Sequence, residues 1–393
     1  MTIRNGTVAH LGHKALGALS LWGPQTPKQS HPGHALTAFE HAPEGSFVIH
    51  RSFILIASLL ALLILSSAVP AAARAPMALG ASVPGGRSAE QVEAAVTQFS
   101  DSVGGNKPAA WSLWSQWGSR GGNADCLPGV GTCSFPSAGV AKLHERGITP
   151  VVWWEPLTPG KPQAGKYARY KRILNRAHDA YIKAWAKAAK QAGIDSGGRK
   201  VILRFAHEAN GHWFPWGIGR FDNTVKNFKN AWRYVWRKFE NQGALPYVDF
   251  LWSVTKQNCK GCNPFAQVYP GGKWVDYAGV TAFNWGSFKS WKSMNLILQG
   301  PVGDLMKVTK RPIIVSELAS HFKGGNKANW IRKGYNTTYD RWPRVKAVMY
   351  LNTDDPHKEF GHPDWRLVKP NDGSALDAYT DIASKGRFKG DLQ

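Results

Sequence analysis

Arg204–Trp216 (RFAHEANGHWFPW) and Pro312–Ala319 (PIIVSELA) decide how this chain reads. Each begins as an apolar run of the kind a buried strand presents. Each ends in one glutamate, Glu208 or Glu317, with aromatic, histidine or glycine residues close by. A carboxylate is costly to bury unless it is paired, so packing does not account for one where a strand leaves the core. Two of them, 109 positions apart on what read as parallel strands, form the pattern of a catalytic carboxylate pair. The alternative for either is a structural ion pair inside a barrel mouth.

The neighbouring sequence repeats the same grammar. Apolar runs at Met77–Val83, Ala110–Trp114, Thr149–Trp154, Val201–Ala206, Val248–Val254, Tyr277–Phe283, Ile313–Ser316 and Val345–Leu351 suit parallel strands covered on both faces. Helical signals lie between them. Ser88 and Gln91 form a capping box. Tyr167–Ala192 reads as one long helix stopped by Gly193, and Asp222 or Asn223 as the cap of a helix ended by Gly243. Ala375–Ala383 reads as a closing helix. Eight strands alternating with helices predict an α/β fold, a (β/α)8 TIM barrel in a single domain over residues 76–393. Active sites of such barrels sit at the C-terminal ends of the strands, where Glu208 and Glu317 fall.

Residues 1–47 are rich in His, Gly and Pro and lack apolar periodicity; they read as a disordered leader or a mis-assigned start. Residues 48–75 read as a signal peptide, with Phe53–Val69 apolar and uncharged and PAAARA after it. Retained, the same run would be an N-terminal anchor. The expectation is a secreted monomer, in contact with a membrane only if that segment stays. Lys and Arg number 49 against 26 Asp and Glu, a net charge of +23, which favours anionic partners such as acidic glycans or lipid headgroups. Scattered basic residues and an export signal argue against nucleic acid. The four cysteines fall as Cys126/Cys133 and Cys259/Cys262, the pattern of two local disulfides in an exported protein. A thiolate zinc site would use similar residues, but the first spacing is wide for a knuckle.

The motifs resemble glycoside hydrolase family 26, in the clan of retaining (β/α)8 hydrolases, over roughly Leu79–Ala383. The most specific is RFAHEANGHWFPW; VVWWEP, GVTAFNWG, IIVSELA and DWRL (Asp364–Leu367) follow the family's order. The resemblance implies endo-hydrolysis of a β-linked polysaccharide, first of all β-1,4-mannan or glucomannan, without metal or organic cofactor. β-1,3-xylan, mixed-linkage β-glucan, an exopolysaccharide, or a non-catalytic polysaccharide-binding barrel are the alternatives. Glu208 would be the acid/base and Glu317 the nucleophile, and Arg204 would orient the carboxylates. His207, Glu155, Asn284, Trp213, Trp216, Trp285 and Trp365 would meet the sugar. Trp111, Trp114 and Trp117 could line distal subsites. Phe283 departs from the family, which usually has a tyrosine there whose hydroxyl bonds the nucleophile; Asn284 or His207 could replace that donor.

Overall fold

A computed structural model describes residues 74–83, 86–118, 133–157, 165, 167–255, 260–354, 364–368 and 373–393. The chain divides into two units, Met1–Ala71 and Ala72–Gln393, and the described residues belong to the second. The leader, residues 48–73 of the signal segment, Cys126 and Cys259 lie outside the described residues. Among the described residues no helix is long and apolar enough to cross a membrane.

Eight parallel strands close into a barrel in sequence order. They are β1 (Ala78–Ser82), β2 (Ala110–Gln116), β3 (Thr149–Glu155), β4 (Val201–Phe205), β5 (Val248–Thr255), β6 (Tyr277–Asn284), β7 (Ile313–Ser320) and β8 (Val345–Leu351). Helices return the chain: α1 (Ala89–Ser102), α2 (Ser137–Glu145), α3 (Tyr170–Leu174), α4 (Asp179–Asp195), α5 (Val225–Asn241), α6 (Phe265–Val268), α7 (Met294–Val308), α8 (Lys327–Arg341) and α9 (Ser374–Ser384). The capping box forms as read, Ser88 Oγ accepting from Gln91 and Gln91 from Ser88.

Two expectations about helices are corrected. The long helix over Tyr167–Ala192 is two, α3 and α4, because Arg176 takes a left-handed φ of 63° between them, which an α-helix cannot absorb. The cap of α5 is Thr224, whose hydroxyl accepts from Asn227 N. Asn223 instead clips two segments together, its Oδ1 accepting from Tyr170 N and its Nδ2 donating to Ala168 O.

Alternation along the strands sorts residues into two apolar clusters. The larger packs the helices onto the outside of the barrel and includes Trp117, Trp154, Trp185, Phe205 and Trp232. The smaller fills the interior with Ala78, Ala110, Val151, Trp153, Ile202, Leu251, Ile314, Ala347 and Met349, and Leu392 of the C-terminal tail joins it. Further along the same inward rows come Arg204, Ser253 and Thr281. The interior is therefore apolar where strands begin and polar where they end, and that gradient positions the site.

Two backbone devices aim the glutamates. On β7 the register against β6 runs Val280↔Val315 and then Thr281↔Glu317, so Ser316 is an extra residue. This bulge shifts the alternation by one and turns Glu317 toward the mouth beside Thr281. After β4, Ala206 (φ 44°) and Glu208 (φ 52°) both sit in the left-handed region, at a cost of about 1–3 kcal/mol each. Hydrogen bonds hold the strained turn: Glu208 N donates to Ser253 O at 2.9 Å. The Asn210 side chain clasps both backbone groups of Thr255, at 2.7 and 3.1 Å.

Candidate active site

Arg204 is the centre of the mouth. It lies inside the barrel, fully buried, its guanidinium 4.3 Å above the Trp153 ring. Its Nη2 donates to Glu317 Oε2 at 2.6 Å and lies 3.1 Å from both Ser253 Oγ and Thr281 Oγ1. Thr281 Oγ1 donates to the same Glu317 oxygen at 3.2 Å. One carboxylate oxygen of Glu317 is thus anchored by a cation and a hydroxyl, while Oε1 is the oxygen left for chemistry. Ser253 is fixed in turn by Ser316, with 2.7 Å between their hydroxyls.

Glu208 has the opposite setting. Only 7% of it is exposed, and Trp213 Nε1 donates to its Oε2 at 2.9 Å. Burial, and then the charge of Glu317, push its carboxyl up to about 7. The Glu317 charge acts on Glu208, so the two carboxyls lie within electrostatic reach of one another. Glu208 is pushed toward its protonated form while Glu317 accepts from a cation and a hydroxyl, and such unlike surroundings are what an acid/base division of labour requires.

A third carboxylate, Glu155 at the end of β3, is also raised to about 7, mainly by burial. Gln116 Nε2 donates to its Oε2 at 3.1 Å. His207 Nδ1 lies 3.9 Å from its Oε1, too far for a hydrogen bond. His207 is buried against Trp153, Phe214 and Trp216. Burial and the Arg204 charge hold its pKa well below the ordinary value, so it is neutral at pH 7.

The predicted aromatics separate into two groups. Trp213 is 41% exposed, and its ring lies over Gly211, where a Cβ would meet it at 2.4 Å. It is the open indole of the mouth. Trp285 is half-buried, edge-on to Trp365 at 5.3 Å. Trp216 is fully buried, stacked on Phe214 at 4.5 Å with its N–H bonded to His207 O, so it supports the site instead of lining it. Trp365 is 1% exposed and stacks on Phe283 at 5.1 Å; it offers no free face to a sugar here. Trp111 and Trp117 are core residues, and of that trio only Trp114 reaches partial exposure.

Asn284 is also reassigned. Its Nδ2 donates to Ser320 Oγ and its Oδ1 accepts from Lys292 N, so it bonds the β6 and β7 ends, not Glu317. The side-chain donors to Glu317 are Arg204 and Thr281. Sequence reasoning missed Thr281, Ser253, Ser316, Gln116 and Trp153. Gln116 pairs with Glu155 across β2 and β3, a signal that exists only once the register is known. Neither Cys133 nor Cys262 is a free thiol. Among the described residues no group of His, Cys, Asp or Glu could hold a metal ion.

The glycosyl hydrolase family 26 model matches residues 163–337, a stretch holding both Glu208 and Glu317. Endoglucanase H of Acetivibrio thermocellus is 32% identical over 220 residues, 54% of this chain and 23% of that protein. Mannan endo-1,4-beta-mannosidase A and B of Caldalkalibacillus mannanilyticus is 25% identical over 141 residues, 35% of this chain and 24% of that protein. The chain spans about a quarter of the length of these curated relatives. Among solved structures, the catalytic domain of an endo-beta-1,4-mannanase from Bacillus sp. JAMB-750 superposes with a TM-score of 0.58 at 17% identity, covering 80% of this chain and 87% of that one. That likeness is one of fold. Over residues 163–337 the chain is similar to glycosyl hydrolase family 26.

Proposed function

We propose that this protein is a retaining, endo-acting glycoside hydrolase working by double displacement on a β-linked polysaccharide. The carrying observation is the contrast between Glu317, anchored by Arg204 at 2.6 Å, and Glu208, buried and raised to about 7. In the first step Glu208 gives its proton to the glycosidic oxygen while Glu317 Oε1 attacks the anomeric carbon, and the aglycone leaves as an alcohol. In the second, the Glu208 carboxylate takes a proton from water, whose oxygen attacks the same carbon and frees Glu317. Arg204 and Thr281 orient the nucleophile, and Trp213 orients the acid and offers its face to a sugar ring.

The backbone we infer is β-1,4-mannan or glucomannan, or a β-glucan. The names of the two relatives support it, one an endoglucanase and the other a mannan mannosidase. A barrel that only bound glycan would gain nothing from holding one carboxylate against a guanidinium and protonating its neighbour. We infer export as a monomer, with residues 48–75 removed; a mature N-terminus upstream of Ala71 would contradict that processing. The test of function is product analysis on a panel of β-mannan, glucomannan, β-1,3-xylan, mixed-linkage β-glucan and exopolysaccharides, with the anomer followed by NMR. Short oligosaccharides first released as the β-anomer support the reading. Release of the α-anomer, or binding without cleavage of every glycan, refutes it.

A further inference from the structure

The connections after β6 and β7 and the helices they enter, α7 and α8, are unusual in charge. They carry Lys289, Lys292, Lys323, Lys327, Arg332 and Lys333, with no Asp or Glu between Asn284 and Gly303 or between Leu318 and Tyr339. Lys289, Lys292, Lys323 and Lys333 are exposed. The ion pairs nearby, Lys307–Asp304 and Arg366–Asp364, leave them out.

The structure draws these cations together. Ser287 N bonds Lys323 O at 3.0 Å, fastening one connection to the other. Lys292 N is held by Asn284 Oδ1, and Lys292 O by Trp330 Nε1. Lys289 Nζ lies 5.5 Å over the Trp285 ring, and burial together with the charge of Lys292 pushes its pKa down. Trp291 lies on Gly325, where a Cβ would meet the indole at 2.4 Å. Its surroundings form a groove of about 270 Å³ shared with Asn326, Asn329 and Lys333. Indole faces beside ammonium groups suit a sugar ring bearing an anion. Clustered like charges raise the energy of the free protein, and an anionic ligand relieves it.

We propose that this side of the mouth recognises acid groups on the glycan, and that the substrate class is an acidic β-linked polysaccharide bearing carboxylates. The assignment rests on the glycoside hydrolase reading above. Its test uses the full chain and one polymer in two forms, neutral glucomannan and the same glucomannan after partial carboxymethylation.

For wild type, kcat/KM on the carboxymethylated form should exceed that on the neutral form by about tenfold at low salt, the ratio falling toward one in roughly 0.5 M NaCl. The triple variant Lys289→Glu, Lys292→Glu, Lys323→Glu should invert the ratio, and the milder triple Lys→Gln variant should bring it near one. Equal turnover of both forms by wild type, or a preference that survives charge reversal, overturns the proposal. Affinity electrophoresis of Glu317→Ala through gels containing either polymer separates this claim from the enzymatic one. Selective retardation by the acidic polymer, abolished by charge reversal, sustains it even if neither polymer is cleaved. No selective retardation overturns it, as does equal competition by duplex DNA or anionic lipid vesicles at matched charge.

Discussion

Glu208→Gln should do two opposite things. The change is isosteric, and the amide oxygen can still accept from Trp213 Nε1, as Oε2 does at 2.9 Å. It removes the proton donor, so turnover of a polysaccharide should fall by about 10²–10⁴-fold. Stability should move the other way. Glu208 rises from its ordinary value of 4.5 to about 7 on folding, so the folded state holds its proton more tightly. The stabilisation is fully present below pH 4.5 and is lost as pH rises through 7. At about 1.4 kcal/mol per pKa unit the loss is on the order of 3 kcal/mol at pH 8. Glutamine carries no such charge. The variant should therefore match wild type near pH 4 and be more stable at pH 8, by roughly 2–3 kcal/mol or on the order of 5 °C in Tm. Thermal melts at both pH values measure it. A variant equally or less stable than wild type at pH 8 would refute the claim that Glu208 is buried at an electrostatic cost to folding.

Other consequences follow from the same contacts. Trp213→Phe removes a hydrogen bond that lowers the Glu208 pKa, so the alkaline limb of the kcat/KM profile should move to higher pH; an unmoved or lowered limb would count against the contact. Thr281→Val takes one of two donors from Glu317 Oε2, a bond to a charged group worth about 1.5–3 kcal/mol, and should cost about 10–100-fold in kcat/KM with the fold intact by circular dichroism. Denatured, unreduced protein should show no titratable thiol if Cys126 pairs with Cys133 and Cys259 with Cys262. Peptide mapping that joined Cys133 to Cys262 instead would overturn the local pairing.

Much of the fold was legible because a parallel strand buried on both faces is a continuous apolar run. Val345–Leu351 has the bounds read from sequence, and most of the others run one or a few residues past the last apolar position, into polar residues such as Gln116, Glu155 and Asn284. Those extensions are the mouth, and periodicity cannot see them. Glu208 and Glu317 stood out because each is a lone carboxylate ending a largely apolar run. How they are aimed was not legible. The Ser316 bulge and the left-handed φ at Ala206 and Glu208 are settled by hydrogen bonds from other strands, by Ser253 and Asn210 among them. Tryptophans misled for a related reason. Their sequence positions after strand ends say nothing of depth, and Trp216 and Trp365 turned inward to pack on Phe214 and Phe283. The break between α3 and α4 hides in an Ala- and Lys-rich stretch whose propensities favour helix throughout.

The covalent intermediate offers the most direct trial of the mechanism. The protein should be incubated with a 2-deoxy-2-fluoro glycoside of a cleaved sugar, digested with protease and mapped by mass spectrometry. A single adduct on Glu317, absent from Glu317→Ala, is the expected result. An adduct on Glu208 or Glu155, or none although the natural substrate is hydrolysed, would contradict the assignment of Glu317 as nucleophile.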